Sequence, residues 1–260
     1  MHDDMRAAKQ AVQSQFGRQA SWYTVSPRHE RSRGLGILTR LAAAAATDRA
    51  LDVATGTGFT AFALAARCRA VVALDFTAGM VREAVGLKEE RGVANVTFCL
   101  GDAEALPFRN DAFDLVVCRY ASHHFPNLRQ AFAEMARVTR RGGRVVIDDT
   151  CAPEDSSLAD LMNRWELRRD ASHVLNIPLN RLRTLFESAG LTVKAAEKTV
   201  IPQWFGEWSG RGGMAPADAA ALRAEFANAG PEAQAEFRIR TENDDLAFAW
   251  GEAVVLGVKR

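Results

Sequence analysis

Short apolar runs alternate with stretches of helical spacing through the first 150 residues, and this alternation constrains the fold more than any other feature. Helices are expected between these runs because consecutive parallel strands need a crossover, and the alternation predicts a doubly wound, mostly parallel α/β sheet. The predicted strands are Ala50–Ala54, Val71–Leu74, Val96–Leu100, Phe113–Cys118 and Arg144–Asp148.

Capping signals predict where several helices begin and end. Ser26-Pro27 is typical of an N-cap followed by proline, which predicts a helix from there to about Thr47. A helix is expected over Phe59–Cys68, and Thr77 is expected to cap the next one. Gly142-Gly143 is expected to end the helix that precedes the fifth strand.

The last 70 residues follow a different pattern. Large and small residues alternate over Phe248–Val258, which predicts a strand with no following helix, and Leu191–Thr199 predicts another strand. The insert between them, residues 200–245, is expected to be mainly helical and to cover an acceptor site or form a subunit contact, which leaves a homodimer open. Its aromatic anchors are Trp204, Phe205 and Trp208.

Composition limits the class of protein. The chain has 260 residues, enough for one domain over 1–260, and its formal net charge is only +1. A nucleic-acid-binding domain usually carries a clear basic excess, so no nucleic-acid partner is expected. The charged N-terminus and the lack of an apolar run of ~20 residues predict no signal peptide and no membrane partner. Four scattered cysteines favour a reducing, cytoplasmic location.

A glycine-containing turn after the first strand predicts a nucleotide-binding loop. In Ala50-Leu-Asp-Val-Ala-Thr-Gly-Thr-Gly58, Gly56 and Gly58 allow the backbone to approach a ligand closely before a helix starts. The same letters also satisfy the loose dinucleotide pattern, so the glycines alone leave the cofactor open.

Acidic residues within or just after successive strands help to decide which cofactor the loop binds. Asp52 lies within the first strand, where a carboxylate suits a cofactor with an ammonium group better than a pyrophosphate. Asp75 closes the second strand, where it could accept both ribose hydroxyls or simply cap the next helix. Asp102 follows the third strand and is suited to an adenine edge.

Five ordered motifs together resemble the class I S-adenosylmethionine-dependent methyltransferases, most closely the small-molecule branch related to the ubiquinone and menaquinone biosynthesis methyltransferases. The resemblance extends over about residues 45–200. It is carried by D-V-A-T-G-T-G, V-V-A-L-D, G-D-A-E-A-L-P-F, F-D-L-V-V-C-R-Y-A-S-H-H-F and R-V-T-R-R-G-G-R-V-V-I-D-D.

This resemblance implies a Rossmann-like methyltransferase fold, a seven-stranded sheet with a final antiparallel strand, and helical cap elements that include an N-terminal lid over residues 1–47. It implies S-adenosyl-L-methionine as cofactor, S-adenosyl-L-homocysteine as product, a small-molecule acceptor and no metal. Family members often have glycine at Ala54, and alanine fits there if its φ is negative. The implied cofactor-binding residues are Tyr23, Asp52, Ala54, Thr55, Gly56, Gly58, Asp75, Phe76, Asp102, Ala103 and Arg119.

The loop after the fourth strand is expected to face the methyl acceptor, since ligands bind where the strand order reverses. Tyr120, His123 and His124 are the catalytic candidates there. In an extended chain two adjacent histidines point in opposite directions, so one is expected to face the substrate, and His124 is favoured as general base. Both could also be packing residues. Asp148-Asp149 could serve the substrate side or cap the next helix.

Two other functions remain open on the sequence. A nicotinamide-dependent oxidoreductase could use Gly56-x-Gly58 for a pyrophosphate, although Asp52 and the G-D-A-E-A-L-P-F segment disfavour it. A non-catalytic relative of the fold could bind the cofactor as a ligand. The sequence favours methyl transfer to an oxygen, carbon or nitrogen atom of a small organic acceptor.

Overall fold

The computed structural model describes residues 2–24 and 32–260, with side chains of the first helix described for residues 5–17 and 20. The predicted helix start at Ser26-Pro27 lies outside these residues. The helix that follows begins after Ser32, whose hydroxyl accepts a hydrogen bond from the Leu35 N–H at 3.0 Å. It ends at Ala42 and not near Thr47, because Ala43 adopts a left-handed conformation with φ of 43°.

Helices and strands alternate through the first five strands, except that a loop without a helix joins the third strand to the fourth. The helices are α1 His2–Thr24, α2 Arg33–Ala42, α3 Phe59–Ala65, α4 Ala78–Glu90, α5 Leu128–Val138, α6 Ser156–Arg169, α7 Leu179–Ser188, α8 Phe205–Gly212, α9 Pro216–Ala227 and α10 Pro231–Glu236. The strands are β1 Arg49–Val53, β2 Ala70–Asp75, β3 Val96–Leu100, β4 Phe113–Arg119, β5 Thr139–Cys151, β6 Leu191–Trp204, β7 Arg240–Glu242 and β8 Asp245–Lys259.

The described strands form one sheet of eight, in the order β3-β2-β1-β4-β5-β8-β6, with the short β7 paired to β8. Strands β1 to β5 pair in parallel, and β8 runs antiparallel between β5 and β6. The predicted mostly parallel sheet with a late antiparallel strand is confirmed, with one strand more than the seven expected because β7 adds a short edge.

Strand β5 starts earlier than predicted. Gly142-Gly143 does not end a helix, because α5 already stops at Val138 and both glycines lie within β5. The pairing with β4 jumps from Phe113↔Thr139 to Leu115↔Arg144, so the residues between form a bulge, where Gly142 has a φ of 70°. A bulge of this kind accommodates extra residues in one strand of a pair.

Three hydrophobic clusters hold the layers together. The residues of the central strands are divided between two of these clusters. Alternate side chains along each strand belong to different clusters, which lie on opposite faces of the sheet. A third cluster lies at the start of β8 and consists mainly of aromatic rings from α6, α8, α9 and β8. No described helix is both long and apolar enough to cross a membrane.

Candidate active site

The adjacent strands β1 and β4 form the point where the strand order reverses. Their pairing runs from Ala50↔Leu115 to Val53↔Cys118, so both strands end at the same edge of the sheet. In doubly wound sheets this edge is where ligands bind. The first residue after each strand, Ala54 and Tyr120, has a positive φ, 55° and 51°. Both line one cavity at this edge.

The glycine loop is held in shape by backbone hydrogen bonds. Thr55 N–H donates to the Leu74 carbonyl at 2.9 Å, and Gly58 N–H donates to the Thr55 carbonyl at 3.0 Å. Gly58 caps α3 with a φ of 94°, and a Cβ there would approach the rings of Phe62 and Phe98 to about 3 Å. Gly56 lines the cavity with open space where a Cβ would stand.

The expectation that Ala54 keeps a negative φ is wrong. Its φ of 55° places it in the left-handed region, where the alanine Cβ crowds the following carbonyl oxygen. The neighbouring hydrogen bond from Thr55 N–H to Leu74 determines the course of the loop. Ala54 is therefore a strained residue at the edge of the cavity, in a position that favours glycine.

Asp52 lies beneath the loop and is not among the residues that line the cavity. Its Oδ2 accepts a hydrogen bond from the Thr55 hydroxyl at 2.6 Å, and its Oδ1 has no hydrogen-bond partner among the described residues. Burial raises the pKa of Asp52 to about 7, against the opposing effects of Thr55 and Arg119. In this structure Asp52 anchors the glycine loop through Thr55.

Asp75 lines the cavity and also organises the backbone around it. Its Oδ2 accepts from Gly56 N–H and its Oδ1 from Thr77 N–H, both at 2.8 Å. Burial raises the pKa of Asp75, although these N–H groups act in the opposite direction. The Thr77 hydroxyl and the Phe76 backbone N–H also act on this carboxylate, so the surrounding loop holds Asp75 firmly in place. Asp75 therefore lines the cavity and supports the loop before α4, where Thr77 is the N-cap residue, and its contact with a ribose stays a prediction.

The far end of the cavity is lined by Phe76, Asp102 and Ala103. Lys9 of α1 reaches this end and forms ion pairs of 2.6 Å with both Asp102 and Glu104. These contacts place α1 over the cavity. The sequence contains no local signal for the Lys9 contacts, because the two partners are more than 90 residues away.

Arg119 and Tyr120, at the end of β4, also line the cavity. Arg119 donates to the Thr60 hydroxyl at 2.8 Å and to the Ser32 hydroxyl at 3.2 Å, and its guanidinium lies 5.0 Å from the centre of the Tyr120 ring. The Tyr120 hydroxyl donates to Glu252 of β8. Burial and the nearby carboxylates of Asp148 and Glu252 raise the pKa of Tyr120, so its hydroxyl stays protonated and no phenolate is available as a base.

Both histidines line the cavity, so the expectation that only one faces it is wrong. That expectation assumes an extended backbone at the two histidines, but Ser122–His124 forms a turn of 3₁₀ helix. Successive side chains on such a turn do not alternate between two faces. The two ring centres are 4.1 Å apart, and the edge of Phe16 from α1 packs against His124 at 4.9 Å.

The two histidines have opposite electrostatic environments. His123 Nδ1 is 2.6 Å from Asp149 Oδ1, and this carboxylate outweighs burial and raises the pKa of His123. The same contact, against burial, lowers the pKa of Asp149 to about 2. Burial and the neighbouring His123 lower the pKa of His124 to about 3, and its Nδ1 lies 2.9 Å from the Ser172 carbonyl oxygen.

Asp148 and Asp149 do not cap the next helix, because Asp155 occupies that position and accepts from Leu158 N–H at 3.0 Å. Asp149 instead contacts His123, which lines the cavity. Its side chain also accepts from the Ser122 hydroxyl and the Thr150 N–H.

Residues after β5 complete the wall of the cavity beside the histidines. Arg169 pairs with the buried Glu166 at 3.1 Å, and its guanidinium lies 5.6 Å from the centre of the Trp208 ring. Trp208 Nε1 donates to Glu166 at 3.3 Å. Sequence reasoning missed Glu166 because it occurs in a helix without a motif. Further lining residues from this half are Asp170, Ile201, Gln203, Arg211 and Trp250.

The structure thus brings together most of the predicted site residues. Asp52 and Gly58 support the loop from behind the cavity, and the side chain of Tyr23 lies outside the described residues. The predicted residues that line the cavity are Ala54, Thr55, Gly56, Asp75, Phe76, Asp102, Ala103, Arg119, Tyr120, His123 and His124. Among the described residues, no group of three or more His, Cys, Asp or Glu side chains is arranged to hold a metal ion.

Comparisons with known proteins agree with this architecture. A family model described as a methyltransferase domain matches residues 51–147. The uncharacterized methyltransferase YcgJ of Bacillus subtilis is 34% identical over 248 residues, which cover 94% of this chain and 98% of the relative. The crystal structure of YcgJ superposes with a TM-score of 0.85 at 33% identity, over 88% of this chain and 99% of that chain.

A shorter similarity connects the chain to enzymes with a stated acceptor. The demethylmenaquinone methyltransferase of Clavibacter sepedonicus is 40% identical over 115 residues, which are 44% of this chain and 46% of the relative. The similarity to YcgJ, in contrast, extends beyond the motif region to nearly the whole chain. The chain belongs to the class I S-adenosylmethionine-dependent methyltransferases and is similar to the menaquinone biosynthesis methyltransferases.

Proposed function

We propose that this methyltransferase binds S-adenosyl-L-methionine along the glycine loop and methylates a small organic acceptor held beside His123. One observation carries the proposal: a single cavity is lined by the Ala54–Thr57 loop at one end and by the His123 turn at the other. A donor and an acceptor bound in the two halves would therefore meet within one enclosed space.

The residues of the cavity fit the cofactor. S-adenosyl-L-methionine carries a carboxylate, an ammonium group, two ribose hydroxyls and an adenine amine. Arg119 could pair with the carboxylate, and Asp75 and Asp102 could accept hydrogen bonds from hydroxyl and amine groups. Gly56 has open space above its Cα, which leaves the loop accessible to a ligand. These residues would hold the cofactor, with Asp52 acting through the loop.

The bound cofactor would supply an activated methyl group on a sulfonium. Positioning and exclusion of water account for much of the catalysis expected from this chain. Helix α1 supplies part of that enclosure, because Lys9, Val12 and Phe16 all line the cavity. Trp208 closes the other side.

His123 is better suited than His124 to take a proton from the acceptor. Its Nδ1 faces Asp149, so the carboxylate orients the ring and stabilises the imidazolium that forms, while Nε2 is left to accept the proton. His124 has a pKa near 3 and would be a weak base at neutral pH. The geometry therefore favours His123, with His124 and Tyr120 as walls of the acceptor end.

The proposal is tested in two steps. Calorimetry with S-adenosyl-L-methionine in the presence of a chelator measures cofactor binding, and no heat at millimolar cofactor would contradict it. Incubation with cofactor and a metabolite extract, followed by mass spectrometry for products heavier by one methylene, identifies the acceptor. Binding of NADH in the same cavity, seen by fluorescence, would favour the oxidoreductase instead.

With an acceptor identified, His123→Gln and His124→Gln form a matched pair. His123→Gln is expected to lower turnover by about 10²–10⁴-fold, the usual effect of a general base, with cofactor affinity unchanged within threefold. His124→Gln is expected to lower it far less. Equal small losses in both variants at every pH would show that the acceptor arrives already deprotonated.

A further inference from the structure

A buried acidic pair lies behind the Tyr120 wall and is not used in the proposed chemistry. Asp148 of β5 and Glu252 of β8 are 0% and 1% exposed. A Cβ added to Gly34 of α2 would collide with Glu252 Oε1 and would stand 2.6 Å from Asp148 Oδ2. Two carboxyl groups therefore occupy the same small space, against a helix that can approach only because residue 34 is glycine.

The hydrogen bonding of this pair is incomplete unless it carries a proton. Neither oxygen of Asp148 has a donor among the described residues, although both are buried. Two ionised carboxylates in contact would repel each other, and Asp148 would be left without a donor. A proton on one of them supplies the missing donor and removes one of the two charges.

The pair is connected to the cavity through Tyr120. The Tyr120 hydroxyl donates to Glu252, and the Tyr120 N–H donates to the Asp148 carbonyl oxygen at 2.8 Å. Tyr120 has a φ of 51°, a left-handed conformation that a bulky residue adopts only when its surroundings hold it there. Hydrogen bonds at both its backbone and its hydroxyl provide that restraint.

We propose that Asp148 and Glu252 share one proton and act as positioning residues that hold Tyr120 as a wall of the acceptor end. The part that concerns the acceptor rests on the proposed function. The charged and titratable groups that face the pair are Arg119 of β4, which donates to Ser32 at the start of α2, and Asp149 of β5, whose carboxylate contacts His123 Nδ1. None of these supplies the proton that the pair needs.

Substituting either carboxyl group by an amide of the same shape removes the shared proton but keeps the packing. In Asp148→Asn the amide donates to Glu252 in place of the shared proton, and in Glu252→Gln the amide donates to Asp148 while its oxygen still accepts from Tyr120. Burial and Glu252 raise the pKa of Asp148, so the folded state binds a proton that the unfolded state releases above about pH 4. The free energy of unfolding of the wild type should therefore fall as the pH rises from 4 to 8, relative to Asp148→Asn.

The first experiment compares melting temperatures of the wild type and Asp148→Asn from pH 4 to pH 8. An advantage of the Asn variant that grows with pH supports the shared proton. A constant difference, or a growing disadvantage, overturns it. Glu197→Gln, in a pair with Arg40 that is exposed at the surface, is the control and should show no such trend.

The second experiment observes Tyr120 directly. The chain has only two tyrosines, so in protein labelled with ¹³C at the tyrosine Cζ the variant Tyr23→Phe leaves a single signal, that of Tyr120. Glu252→Ala is expected to shift and broaden this signal, and Glu252→Gln to restore it. An unchanged signal in Glu252→Ala overturns the positioning role. Calorimetry with S-adenosyl-L-methionine on the protein that keeps Tyr23 tests the proposed function separately.

Discussion

At the scale of single residues, the site depends on backbone conformations that its side chains disfavour. Ala54 and Tyr120 follow the two strands that meet where the strand order reverses, and both have left-handed backbones. Strain of this kind is found where the surrounding structure determines the conformation, often at functional sites. Both residues line the cavity.

Ala54→Gly is expected to stabilise the protein. Glycine removes the Cβ clash of the left-handed conformation, which costs about 1–2 kcal/mol, while the unfolded chain gains about 0.4–1 kcal/mol of entropy. The net gain in the free energy of unfolding should be roughly 0.5–1 kcal/mol, measured by urea denaturation. Ala63→Gly in α3 is the control and should lose about that amount. A loss of stability in both variants would contradict the strained conformation of Ala54.

His124 should make the protein sensitive to acid. Its folded pKa of about 3 lies below the ordinary value of 6.5, so the unfolded state takes up a proton first as the pH falls. The protein should lose about 1.4 kcal/mol of stability for each pH unit below about 6.5 on account of this residue. Urea denaturation at pH 7 and pH 5 should show a smaller loss in His124→Gln than in the wild type.

His173 provides the comparison for that measurement. Burial and the nearby His123 lower the pKa of His173 to about 4, so His173→Gln should also reduce the acid sensitivity. His123→Gln should not, because its raised pKa makes the charged form favourable in the folded state below pH 6.5. A steeper loss in His124→Gln than in the wild type would refute the assignment.

At the scale of elements, the insert over residues 200–245 packs as part of the core rather than as a detached cap. Phe205 and Trp208 are 2% and 1% exposed and lie in the aromatic cluster with Phe226, Phe248 and Trp250. Strand β6 also extends to Trp204, five residues beyond its predicted end. Deleting the whole segment would expose the aromatic end of β8, so point substitutions are the better test of its role.

Trp208→Ala and Trp204→Ala form a matched pair within this element. Trp208 is fully buried, and a substitution of this kind costs about 3–5 kcal/mol because the removed ring leaves a cavity. Trp204 is only half-buried, so its substitution should cost roughly 1–2 kcal/mol. Urea denaturation measures both. Similar costs in the two variants would show that Trp208 is not a core anchor.

At the scale of the whole molecule, α1 connects the two halves of the cavity. Lys9 pairs with Asp102 and Glu104 on the cofactor side, while Phe16 packs on His124 and the Gln15 amide donates to the Gly212 carbonyl on the insert side. If α1 acts as the predicted lid, it has to move before a ligand can enter or leave the cavity. The lid role of the N-terminal segment stays a prediction.

Lys9→Met is expected to speed the exchange of the cofactor. The ion pairs of Lys9 are partly exposed, so their loss should change the free energy of unfolding by less than about 1 kcal/mol. The rates of S-adenosyl-L-methionine binding and release, measured by stopped-flow fluorescence, should both rise. Arg6 lies on the same helix but is not among the residues that line the cavity, so Arg6→Met serves as the control. Equal rates in all three proteins would show that α1 is not a gate.

The sequence by itself determined the order of the elements and the place of the site. The strands from β1 to β4 lie within one residue of their predicted ends, because apolar periodicity and turn residues act locally. The motif residues after β1, β2, β3 and β4 converge, because parallel strands bring their carboxyl ends to one edge.

Only the tertiary structure decided which side chains act together. The left-handed φ of Ala54, the turn that brings both histidines to the cavity, and the contact of His123 with Asp149 depend on neighbours distant in the chain. The same is true of Lys9 over Asp102 and of the Asp148–Glu252 pair. Local pattern carries no information about contacts between residues 26 to 104 positions apart, since these form only when the packed sheet brings its edges, loops and last strand together.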